Sequence, residues 1–238
     1  MKKRNKMLGL LLVICLSLST VIPVSAATNN QSSFTDSEVS VETYKNWMSS
    51  QSNVNTSKGN EYQNFVNEFK NLTEDEQELF VSYISDPDLN INMLNLLSSE
   101  ESYSTLENGN IVVTNNYTFQ DNEMGSRAAI QYRIGTFSSA AYVLGIKVFE
   151  YSGEIQYSHD GSTIKEIQHA NMWVAANWMP LTTFSWSDDV TYGVGTKVAT
   201  HIDYCTWNVI HDLLGMVVGT HQVQINGSVY NETTWSIN

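Results

Sequence analysis

Three histidines recur at intervals of ten, His201, His211 and His221. On neighbouring strand ends such residues could present imidazole nitrogens to zinc. No HExxH or CxxC accompanies them, and zinc sites are defined by short ligand spacings. The expectation is polar, solvent-facing strand positions and no metal. Adjacent Asp188 and Asp189 would point to opposite faces of a strand. Joint work as a carboxylate pair would therefore need a loop, and also substrate subsites that the surrounding residues do not suggest. A turn after Trp186 is the expected reading.

Other catalytic patterns fail on inspection. No serine sits in a GxSxG elbow, and no glycine loop is built to cradle phosphate. Asp86, Asp88, Asn90 and Asn92 suggest a calcium loop, but an EF-hand needs Gly sixth and Glu twelfth. Those positions hold Ile91 and Leu97. Cys205 lacks an oriented base that sequence alone could identify, and reads as a small buried residue. No cofactor is expected. A hydrolase with dispersed groups would rest on His211 and Asp212.

Aromatic residues are the most suggestive feature. Trp173, Trp178, Phe184, Trp186, Tyr192, Tyr204, Trp207, Tyr230 and Trp235 all fall in the C-terminal half. Core packing should claim most of them, since aromatics suit packed strands. The candidates for an exposed ligand platform are Trp173, Trp178, Trp186 and Tyr192.

The elements that must carry these residues follow from periodicity. Tyr62, Phe65, Val66 and Phe69 share one helical face. Thr73 and Glu76 match a capping box that opens a second helix, and Asp86-Pro87 closes it. Asp88 is the expected cap of a third helix carrying Leu89, Met93, Leu94, Leu96 and Leu97. From Asn108 onward the composition shifts to Gly, Thr, Val and aromatics. Asp160-Gly161 marks the tip of a two-residue hairpin in the stretch 142–168, where Ile146, Val148, Ile155 and Tyr157 sit in an alternating pattern. The three-residue spacing of Ile164 and Ile167 implies a bulge or an early strand end. Asn226-Gly227 marks a second tip. Residues 207–219 fit either a short helix or a buried strand.

Residues 1–27 read as a signal peptide. A basic start (Lys2, Lys3, Arg4, Lys6) precedes an apolar run and small residues at Val24-Ser25-Ala26. Its removal takes four of the 12 basic residues and none of the 25 acids, moving the formal net charge from −13 to −17. Such a chain is not expected to bind nucleic acid, and stable membrane anchoring is not expected either. Only Cys205 would then remain, so no internal disulfide could form.

The resulting organisation is α+β. A leader (1–27) precedes a polar, largely disordered arm (28–60) holding one possible helix at residues 41–49. A small acidic helical unit (61–98) and an all-β domain (108–238) follow. The β domain is expected to be an antiparallel β-sandwich, a barrel being the second choice. The functional expectation is a secreted, non-enzymatic binding or interaction protein with an extracellular ligand, carbohydrate or protein. The alternatives are a membrane-active, bacteriocin-like toxin and a secreted hydrolase.

Overall fold

The computed structural model describes residues 39–51, 59–99, 101–122, 130–211, 215–230 and 233–237. Four helices come first: α1 (Val41–Gln51), α2 (Gly59–Asn71), α3 (Glu74–Ile84) and α4 (Pro87–Leu97). Each start has a local chemical reason. The Thr43 amide donates to the Ser40 hydroxyl at 3.2 Å ahead of α1. Thr73 and Glu76 form the complete capping box of α3. The hydrogen bonds from Thr73 hold the Glu76 carboxyl below its usual range. The Asp86 side chain accepts the Leu89 amide at 3.1 Å, with Pro87 at the first helical position. Asp86, not Asp88, is therefore the cap of α4.

Nine strands follow: β1 (Tyr103–Leu106), β2 (Ile111–Asn122), β3 (Gln131–Val143), β4 (Ile146–His159) and β5 (Ile164–Asn177), then β6 (Thr182–Tyr192), β7 (Val198–His211), β8 (Gly215–Ser228) and β9 (Thr233–Ile237). They form two antiparallel sheets in sequence order, β1 to β5 and β6 to β9. Both sheets are open, so the architecture is a sandwich and not a closed barrel. The β3–β4 connection is a two-residue turn, Leu144 (φ 49°) and Gly145 (φ 81°), the left-handed pair that matches strand twist. The β4–β5 hairpin turns at 160–163, where Asp160 Oδ1 accepts the amides of Ser162 and Thr163, each at 2.9 Å. The loop is longer than a two-residue tip. The expected bulge is present, Tyr157 facing Ile167 and His159 facing Ile164.

Three sequence expectations change. Asn226-Gly227 is not a turn but lies inside β8, opposite Thr200 and Ala199. Gly227 is there for room: a Cβ would sit 2.1 Å from the Tyr157 ring. Residues 207–219 are neither one helix nor one strand; they supply the ends of β7 and β8, with His211 opposite Gly215. Asp188 and Asp189 make no turn, and lie within β6 where its register with β7 shifts between Ser187 and Val190.

Helices and sheets share one core. Phe149 stacks on Phe184 across the sandwich at 4.3 Å, and Phe137 on Trp235 at 5.9 Å. α4 touches β2 and β3 of the first sheet and β7 of the second, and the Tyr151 hydroxyl donates to the Leu97 carbonyl at 2.8 Å. α1 belongs to this core too. Tyr44, Trp47 and Met48 are buried, so residues 41–51 of the expected loose arm are a packed helix. Among the described residues, no helix is long and apolar enough to cross a membrane.

Candidate functional site

The strongest site lies on the outer face of the five-stranded sheet. Strand alternation sends Phe137, Tyr151, Ile155 and Tyr157 inward and leaves the intervening residues outside. The register then aligns two rows across four strands. Asn116, Ser138, Ser152 and Trp173 form one; Thr118, Thr136, Glu154 and Asn171 form the next. Between them is an open cleft of about 300 Å³, lined by Asn116, Thr118, Thr136, Ser138, Glu154 and Trp173. Gly153 contributes to its floor, and has no side chain because Phe137 packs beneath it, 2.3 Å from where a Cβ would be.

The polar groups are held by one another. The hydroxyls of Thr118 and Thr136 are 2.6 Å apart. Ser138 and Ser152 donate to Glu150 Oε1 at 2.7 and 3.1 Å, and Lys147 pairs with the other oxygen. Burial alone would raise the Glu150 carboxyl, but the bonds from Lys147, Ser138 and Ser152 hold it below the usual range. Glu154 Oε1 accepts from Gln156 at 2.9 Å and lies 3.5 Å from His169 Nε2. Glu150 and Glu154 are four residues apart on one strand, about 13 Å. That exceeds the roughly 6.5–9.5 Å at which two carboxylates flank a glycosidic bond and its water. The face can donate and accept many neutral hydrogen bonds beside one indole.

The four aromatic candidates do not meet. Trp173 lines the cleft, half-buried. Trp178 is in the core, stacked on Phe65 at 5.0 Å with Tyr62 at 5.6 Å. Its exposed sliver borders a second cleft of about 160 Å³ beside α2, between Glu61, Glu68 and Lys147. Trp186 points between the sheets, edge-on to Tyr151 at 6.3 Å. Tyr192 is exposed, but on the outer face of the other sheet. Asn116, Thr118, Thr136, Ser138 and Glu154 were not singled out by sequence. The only available signal was the alternation of Glu150, Ser152, Glu154 and Gln156 with large apolar residues along β4.

His201 and His221 are not exposed. His201 is buried, its Nδ1 2.8 Å from the Thr191 hydroxyl and its Nε2 3.4 Å from Asp203. His221 faces Cys205 across β7 and β8, four residues along β8 from Ile225, the partner of His201. That places the two about 13 Å apart. Among the described residues no group of three His, Cys, Asp or Glu could hold a metal. The Cys205 thiol is buried and pushed up to about 12 by burial and by Asp203, the opposite of what a nucleophile needs. The side chains of Asp188, Asp189 and His211, and all of Asp212, lie outside what the structure describes.

His221 carries a pH prediction. Trp207 Nε1 donates to its Nε2 at 3.1 Å, so the neutral ring accepts there. Burial lowers its affinity for a proton below the ordinary value of 6.5. The unfolded chain therefore binds that proton first as pH falls, and stability is lost from about pH 6.5 downward. Urea midpoints between pH 7.5 and 5.5 should fall in the native chain and fall less in His221→Gln. Trp207 emission from the folded chain should change only at lower pH, where the buried ring itself takes the proton. Equal slopes in both chains would exclude His221 as the cause.

No protein-family model matches the chain, and no curated protein and no solved structure matches it.

Proposed function

We propose that the chain is a secreted, non-enzymatic binding protein whose ligand is a neutral, polyhydroxylated carbohydrate. The ligand lies on the outer face of the five-stranded sheet. The observation that carries the reading is Trp173 beside a cleft that also holds Phe137 and Gly153 and is furnished with hydroxyl, amide and single carboxylate groups. A sugar ring offers an apolar C–H face to an indole and a rim of hydroxyls to paired donors and acceptors. The basic and apolar leader supports export. The acidic balance of the chain disfavours polyanions such as nucleic acid or anionic wall polymers.

Co-sedimentation of the chain from residue 28 onward tests this reading. The expected result is pelleting with insoluble neutral polysaccharide or with purified cell walls, reversed by soluble oligosaccharide. Sugar release from those polymers would replace binding with hydrolysis. A chain that stays in solution with every polymer would overturn the carbohydrate assignment.

A further inference from the structure

Half of β8 has an open edge. β9 pairs with residues 223–227 alone. Along residues 215–222, β8 has β7 on one side and, among the described residues, no strand on the other. Alternate backbone N–H and C=O groups of such an edge point outward, a template for another strand.

Three of the other edges, those of β1, β5 and β6, are guarded. β5 carries three register shifts and exposes Lys165, Glu166 and His169. β6 has a register shift at Asp188-Asp189, and β1 is only four residues long. Register shifts, charge and shortness are the usual devices that discourage edge pairing. Residues 215–222 have none of them. Their register with β7 is unbroken, and the stretch GMVVGTHQ contains no Lys, Arg, Asp, Glu or Pro. It exposes Met216 at 63% and Val218 at 57%.

We propose that this edge is a self-association surface. Two copies pair antiparallel through residues 215–222 about a two-fold axis, joining their four-stranded sheets into one. A second copy is the occupant that the chemistry favours. A charged peptide would find no opposite charge on the edge, whereas the edge matches itself. With the axis at Gly219, Met216 faces Gln222 and Val218 faces Thr220, so no like charges meet in a chain that is otherwise strongly acidic. One two-fold operation satisfies both edges at once and closes the assembly.

Sedimentation equilibrium of the chain from residue 28 onward should show a mass that climbs toward twice the monomer with concentration. Met216→Lys combined with Val218→Lys should weaken dimerisation about tenfold or more, while Val190→Lys on β6 leaves it unchanged. Both lysines replace exposed side chains, and circular dichroism confirms that the variant folds. Amide protection of residues 216–222 that rises with concentration supplies the same answer without a substitution. A monomer at every concentration overturns the proposal, as does a dimer indifferent to the two lysines. A monomer that pellets with phosphatidylcholine vesicles through Met216 and Val218 overturns it in favour of lipid.

Discussion

Tyr44→Ala should cost about 3–5 kcal/mol of stability, the range for truncating a buried aromatic. Tyr44 is fully buried, stacked on Trp47 at 5.4 Å and edge-on to Phe69 at 5.4 Å. Its hydroxyl donates to the Trp178 carbonyl at 2.8 Å, fastening α1 to the segment between β5 and β6. Burial, reinforced by Tyr62, keeps that hydroxyl protonated far above its ordinary range. Tyr44→Phe removes only the hydrogen bond and should cost about 1–2 kcal/mol. Urea denaturation of the two variants separates packing from hydrogen bonding. The larger loss also bears on the N-terminal segment: proteolysis that removed residues 41–51 would open the core. If Tyr44→Ala left the urea midpoint unchanged, α1 would not belong to the folded core in solution.

What the sequence made legible, and what it hid, has a physical division. Local chemistry came through. Thr73 with Glu76 and Asp86 with Pro87 place helix ends through groups only a few residues apart, and the same holds for Asp160-Gly161. Choices that depend on distant partners did not come through. Gly227 looks like turn chemistry beside Asn226, yet its missing side chain answers to Tyr157, 70 residues earlier. Along β7, period two separates two rows without saying which is inside. Val198, Thr200, Ile202 and Tyr204 look like the apolar row, but Ala199, Cys205, Trp207 and Val209 are buried. His201 and Asp203 are carried inward with that second row, because a one-residue slip would expose Trp207 and Val209. The face proposed for binding was hidden for a different reason. Thr118, Thr136 and Ser138 are ordinary strand residues, and only the register of β2 to β5 gathers them beside Trp173.

Trp173→Ala should weaken carbohydrate binding about thirtyfold, the equivalent of about 2 kcal/mol for a central aromatic anchor. The same substitution should change stability by no more than about 1 kcal/mol, because the side chain is half-buried on an outer face. Trp178→Ala supplies the opposite pattern. That indole is clamped by Tyr62 and Phe65, so its loss should lower the urea midpoint strongly, with binding affected only as the fold is lost. Glu154→Gln keeps the size and hydrogen-bonding reach of the side chain and removes its charge. A neutral ligand should tolerate it within a few-fold, whereas a reaction using Glu154 as acid or base would stop. Isothermal titration of the three variants with the oligosaccharide that best reverses co-sedimentation reads the binding, and urea denaturation of the same variants reads the stability. If Trp173→Ala binds like the native chain, the indole is not the platform, and the cleft on the five-stranded sheet is not where the ligand sits.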